Sequence, residues 1–287
     1  MVSKASNKKF VSPLLPGLLA VGFLFLVANV LFNIPNLLLQ LNTKVETPLH
    51  YDFASFGQIL KKHVKQGLVD YTSLKKTGGV DAACNELQRI NPEKLPSEKA
   101  KLAFWVNAHN LLTMKVLLDR YPLETVKTVG QETGTRRFLV GGNFYSIKQI
   151  ETELLAPLYE KADWRGIFIV CDGSLGGPEI GDHAYQDGGL EADLAAACKR
   201  FVVSPAHVQL NPETATMRLT PWYRWNKEFI QLQYPSPFDL VADYLPTKTM
   251  IDVGRINRNY SLDYDWRIND LKLLEDLKKE LQKKKES

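Results

Sequence analysis

Charge is missing from one long stretch of this chain. Between Lys9 and Lys44 there is no Asp, Glu, Lys or Arg. The stretch therefore has no polar face to set against water, which excludes a solvated amphipathic helix, and Pro13, Pro16 and Pro35 argue against a buried core helix. Cysteine is scarce: three occur in 287 residues, with no pair at metal-ligand spacing. An odd count in an oxidising compartment implies a free thiol, or one disulfide and one thiol. The glycine-rich loops contain neither G-x-G-x-x-G nor G-K-[ST], so a nucleotide-binding fold has no support. No cofactor is expected. The net charge is +4, and Lys4, Lys8 and Lys9 account for much of it. That excess is too small for a nucleic-acid binder. The other basic cluster, Lys278, Lys279, Lys283, Lys284 and Lys285, reads as the solvated end of a helix.

What the uncharged stretch does contain is an apolar run over residues 13–34, long enough to cross a bilayer core, which takes about 20 residues. A cleaved signal has a shorter apolar region of about 7–15 residues and a small-x-small site. The run is longer and no such site follows, so a single-pass anchor is expected. The preceding lysines place the N-terminus in the cytoplasm and the rest of the chain on the far side of the membrane. The expected organisation is a basic tail (1–12), an anchor (13–34), a linker (35–52), a main domain (53–270) and a charged C-terminal helix (271–287).

Within the main domain, Phe56, Leu60, Val64 and Leu68 recur every four residues and predict a helix over 53–69, with His63 on its solvated face. Val80, Cys84 and Leu87 predict a second helix over 80–90. The run 100–120 is apolar almost all round and should be central and buried. It carries Asn107, Asn110, His109 and Thr113, polar groups that need partners if buried. Gly141-Gly142-Asn143 between short apolar runs signals a hairpin. Ser146 and Gln149 form a capping box, and the helix it starts is expected to stop at Pro157. "GIFIVC" (166–171) reads as a strand ending at Cys171. Residues 190–202 predict a helix with Leu190, Leu194, Ala197, Cys198 and Phe201 inward. A strand "TMRLT", an aromatic helix "PWYRWNKEFI", a segment "SPFDLVADYL" and a terminal helix with Leu274, Leu277 and Leu281 inward complete the chain. Helices dominate without regular strand–helix alternation, so the class is α+β: one mostly helical domain with a small antiparallel sheet.

Five segments in order, "AFWVNAHNLLTMKVLLDRYP", "FLVGGNFYSIKQIE", "FIVCDGSLGGPEI", "LTPWYRWNKEFI" and "YDWRIN", resemble the family known as domain of unknown function 547. Typical members carry a loop C-G-[SA]-x-[SG]-C-P and a histidine directly after the "IE" of the preceding helix. The resemblance implies thiol chemistry on a papain-like or transglutaminase-like core. Fold alone does not fix function. This chain departs from the pattern. Aligning Gly173, Ser174 and Pro178 with the family loop puts the two family cysteines at Asp172 and Gly177. Thr152 follows Ile150-Glu151 where the histidine is usual, and His109 takes the place of a usual tyrosine. Cys171 is one residue early, and in a strand such an offset points a side chain the opposite way.

Three functions compete. The first is an extracytoplasmic binding or scaffold module with a degenerate thiol site. Its fold or pocket residues would be Trp105, Asn107, Asn110, Glu151, Asp172, Ser174 and Trp222, and its ligand an unidentified protein or small molecule. The second is a cysteine-dependent hydrolase. Cys171 would be its nucleophile, His109 or His183 the base, and Glu151 or Asp172 the orienter. The third is carboxylate-based hydrolysis by Glu151 and Asp172. A metal site built from Asp172, Asp182 and His183 is disfavoured because two of the three are adjacent.

Overall fold

The structure is a computed structural model that describes residues 51–211, 213–245 and 256–286, together with 34, 36, 38–41 and 43–46. The expected anchor lies, but for Ile34, outside the described residues. Among those described, no helix is long and apolar enough to cross a membrane. Contacts divide the chain into Met1–Lys44 and Val45–Ser287. In the first unit residues 38–41 are helical, and the Thr43 hydroxyl donates to the Leu39 carbonyl (2.7 Å).

The second unit is α+β, mostly helical with small sheets. Its centre is helix α4 (Glu98–Arg120), which follows α1 (Ala54–His63), α2 (Tyr71–Thr77) and α3 (Val80–Leu87). The Ser97 side chain caps α4 by accepting from the Ala100 N–H. From Leu102 to Met114 every residue of α4 is buried, as expected of a helix apolar on all sides. A short helix α5 (Gly130–Thr135) precedes the hairpin of β3 (Phe138–Val140) and β4 (Asn143–Tyr145), which turns at Gly141-Gly142. Ser146 and Gln149 make the capping box that opens α6 (Ile147–Gln149). Farther on, α8 (Leu190–Val202) buries Leu190, Leu194, Ala197, Cys198 and Phe201, the stripe read from the sequence. A three-stranded sheet joins β5 (Val208–Asn211) antiparallel to β6 (Thr216–Leu219), with β7 (Asn257–Asn259) parallel on the other side of β6. The aromatic segment forms α9 (Pro221–Trp225) and α10 (Lys227–Ile230), interrupted at Asn226; α11 (Pro237–Asp243) follows. The terminal helix α12 runs Leu271–Glu286, but the side chains of Leu274, Leu277 and Leu281 lie outside the described residues.

Four expectations need correction. First, the helix over 53–69 stops at His63. Gln66 and Gly67 both adopt positive φ (51° and 75°), which makes a tight turn between β1 (Val64–Lys65) and β2 (Leu68–Val69). His63 is buried, its Nε2 3.2 Å from the Thr77 hydroxyl, and burial lowers its pKa. Second, the helix from Ile147 does not stop at Pro157. It widens into a π-helix (Ile150–Leu155) and continues as α7 (Ala156–Lys161). Pro157 falls in the first turn of α7, where its missing N–H costs little. Third, in place of a single small sheet there are three separate ones among the described residues.

The fourth correction concerns "GIFIVC". Its branched and aromatic residues favour a strand, yet residues Trp164–Phe168 form a 3₁₀ helix. Asp163 starts it by accepting from the Arg165 N–H (2.9 Å). Gly166 lies so close to Tyr159 that a Cβ there would sit 2.7 Å from the ring. The backbone beyond needs partners because Ile169 and Cys171 are buried, and no strand runs beside it. Asn110 supplies them: its amide N–H donates to the Ile169 carbonyl (2.9 Å) and its oxygen accepts from the Cys171 N–H (2.9 Å). Asn107 does the same one turn away, donating to the Tyr185 carbonyl (2.8 Å) and accepting from the Tyr185 N–H (2.9 Å).

Replacing Asn110 by Leu would leave two buried main-chain groups unpaired, at roughly 1–3 kcal/mol each. Urea unfolding of the full chain is expected to show Asn110→Leu destabilised by about 2–5 kcal/mol. Lys61→Ala, on the exposed face of α1, should stay within about 0.5 kcal/mol of the parent.

Candidate functional site

Two cavities adjoin near the middle of α4. The larger, about 500 Å³, is walled by aromatic side chains that include Trp222, Trp225, Phe229 and Tyr264. The smaller, about 300 Å³, is lined mainly by aliphatic groups, among them Val116, Leu117, Val126, Val129 and Ile147. His109, Glu151 and Asp172 line both.

His109 occupies the buried middle of α4. Its Nε2 lies 3.0 Å from Glu151 Oε1 and its Nδ1 3.3 Å from Asn110 Oδ1. The Asn110 oxygen is fixed as an acceptor by its bond to the Cys171 N–H. Both ring nitrogens therefore face oxygen acceptors. Glu151 comes from the π-helical stretch, where the extra residue per turn changes which side chains face α4; such stretches are frequent at functional sites. Its other oxygen accepts from Lys148 Nζ (3.1 Å). Burial pushes the Glu151 pKa up, but the His109 hydrogen bond and the charges of His109 and Lys148 outweigh it and hold the carboxyl below its ordinary range. Thr152, at the family's histidine position, also lines the larger cavity and donates to the Lys148 carbonyl (2.9 Å).

Asp172 is braced from two sides. One carboxylate oxygen accepts from the Ser174 N–H (2.8 Å) and hydroxyl (2.6 Å); the other accepts from the Tyr264 hydroxyl (2.6 Å). Burial, then the nearby Asp172 charge, raise the Tyr264 pKa, which keeps the phenol protonated as a donor. Gly173 has φ 81°, and a Cβ there would meet Leu117 Cδ1 at 2.2 Å. The loop can close on α4 only with glycine at that position.

The remaining candidates lie elsewhere. Cys171 is buried and lines neither cavity. Its sulfur accepts from the Gly173 N–H (3.3 Å) and lies 3.9 Å from Asn269 Nδ2. Burial, with the Asp172 charge, pushes the thiol up to about 12. It has no histidine partner: His109 is held by Glu151, and the exposed His183 lies between Asp182 (2.8 Å) and Asp193 (3.1 Å). Neither His109 nor His183 is hydrogen-bonded to Cys171 in this structure. Asn107 and Asn110 spend their amides on backbone and do not line the cleft. Trp105 is core, edge-on to Tyr145 (5.4 Å), and Ser174 is buried beneath Asp172. Trp222 does line the larger cavity. Cys84 and Cys198 are also free thiols, and among the described residues no group of His, Cys, Asp or Glu side chains is placed to hold a metal ion.

Sequence reasoning missed Tyr264, Trp225 and Trp266 as cleft residues. The only signal was their place in the segments "YDWRIN" and "PWYRWNKEFI", whose approach to α4 is a tertiary event. Arg267 pairs with Thr125, and Ile268 with Ser174, through isolated bridges that bring the segment in.

Glu151 titrates below its ordinary value of 4.5 when folded, so its ionisation stabilises the fold above that value and the gain is lost as pH falls through the folded pKa. Glu151→Gln should accordingly be less stable than the parent near pH 7, and the gap should close as pH falls through the lowered folded-state pKa of Glu151. Thermal unfolding followed across pH 3–8 would check it.

No curated protein and no solved structure matches this chain. Residues 92–202, which carry α4, the Glu151 helix and the Asp172 loop, match the family described as "Protein of unknown function, DUF547", and over that segment the chain resembles this family.

Proposed function

We propose that residues 45–287 are a ligand-binding module in which a carboxylate has replaced the thiol of the family's usual loop. The module would be held at a membrane by the run 13–34, on the side opposite the cytoplasmic N-terminus. That arrangement rests on the uncharged stretch and the lysines before it. The observation that carries the binding reading is the exchange of faces at residues 171 and 172: Asp172 lines the cleft and Cys171 is buried beneath it. A nucleophilic thiol needs a base or a positive neighbour to lower its pKa, and Cys171 has a carboxylate beside it instead.

A second reading has one observation in its favour. Glu151 and Asp172, the pair for carboxylate hydrolysis, do line the same cavities. Such chemistry needs one carboxyl held protonated near neutral pH. Glu151 is shifted the other way by His109 and Lys148, so binding is the better supported role.

Iodoacetamide labelling with mass mapping tests the proposal. With its thiol near 12, Cys171 in the folded chain should react on the order of a thousandfold more slowly at pH 8 than in the urea-unfolded chain. Rapid labelling confined to Cys171 in the folded protein, or a covalent substrate adduct on it, would overturn it.

A further inference from the structure

The two adjoining cavities differ in chemistry, and the difference specifies a ligand. We infer that the site takes a sugar carrying an alkyl or acyl chain, with the chain in the aliphatic pouch and the sugar in the aromatic cleft. This rests on the reading of the cleft as a binding site and adds the class of ligand.

The pouch wall is formed by Val116, Leu117, Val126, Val129 and Ile147, which offer dispersion contacts and no hydrogen bonds. Among the polar residues of the lining, which include Lys127 and Thr133, one stands apart. Thr113 lines the pouch and is 6% exposed, and its buried hydroxyl has no hydrogen-bond partner. A buried hydroxyl left unpaired is costly, so its presence points to a ligand atom that completes it. Thr113 lies one helical turn from His109, which lines both cavities. The oxygen that links a sugar to its chain is an acceptor suited to that place.

The cleft side suits a sugar ring. Trp225 is 47% exposed, and it packs in a cluster with Tyr264 (5.0 Å) and Trp266 (5.8 Å). Trp266 lines the pouch, so the aromatic surface runs from one cavity to the other. Aromatic faces accept the apolar C–H face of a sugar, and carboxylates accept its hydroxyl protons. Glu151 and Asp172 supply such acceptors at the junction, with Lys148 lining the cleft and Lys127 the pouch beside them.

Tryptophan fluorescence titrations of the full chain provide the test, with octyl glucoside below its micellar concentration, methyl glucoside, octanoate and octylamine as probes. Octyl glucoside is expected to bind about a hundredfold more tightly than methyl glucoside, from burial of the chain. Thr133→Trp, at the half-buried rim of the pouch, should abolish that preference. Thr113→Val should weaken octyl glucoside about tenfold while leaving thermal stability equal or higher, since it removes an unpaired hydroxyl. Equal binding of the methyl and octyl glycosides would overturn the pouch assignment and leave the binding reading standing. Tighter binding of octylamine or octanoate would overturn the sugar assignment. Binding of none of the four would overturn the inference, and the labelling experiment would then decide the binding reading separately.

Discussion

Two asparagine side chains on a buried helix carry the rest of this structure. Asn107 and Asn110 sit three residues apart in α4, among mostly apolar buried neighbours. Each uses its amide twice, once as donor and once as acceptor, on the main chain of a loop that has no strand to pair with. A sheet would have met the same demand with a ladder of backbone bonds. Here one side chain per loop meets it, and the chain on either side is free to bend. The bend at Ile169–Gly173 is what lets consecutive side chains, Cys171 and Asp172, go to the core and the cleft.

The elements whose signals are local were legible in the sequence. The buried central helix, the Gly141-Gly142 hairpin, the Ser146 capping box and the inner stripe of α8 all follow from neighbours within a few residues, and all are present. The strand read at 166–171 was not, because its propensity was overridden by Asn110, distant in sequence, and by the tight approach of Gly166 to Tyr159. The helix through Pro157 was illegible for a different reason. Proline stops an α-helix, but a preceding π turn shifts the register so that proline falls in a first turn, and no short pattern in "IETELLAP" announces this. His63 illustrates a third limit: flanking lysines suggest a solvated face, while the helix ends at His63 itself and the ring is buried.

The candidate site shows the same division. The resemblance drew attention to Glu151, Asp172 and His109, which line the same two cavities, and the one-residue offset of Cys171 reads as a reversal of face from alternation in a strand. The reversal is present, though no strand is. Its cause is the Asn110-bound bend together with the turn at Asp172, whose oxygen accepts from the Ser174 N–H. Tyr264 and the neighbouring tryptophans could not be assigned to the cleft from sequence. They arrive through the bridges of Arg267 and Ile268, which join chain segments about 90 to 140 residues apart.

The charge pattern of the cleft follows from the same geometry. A thiol at position 172 would need few partners. A carboxylate at a half-buried position needs its oxygens bonded, and the structure meets this with the Ser174 backbone and hydroxyl on one oxygen and Tyr264 on the other. Ser174 in turn accepts from the Gly177 N–H, so the glycine at the family's second cysteine position is tied into the same network. There is also no room for a larger residue there: a Cβ on Gly177 would stand 2.6 Å from Asp172 Oδ1 and 2.8 Å from the Tyr264 hydroxyl. With aspartate at 172 and its tyrosine brace in place, a side chain at 177 would collide with the groups that hold the carboxylate, so the glycine at 177 goes with the aspartate at 172.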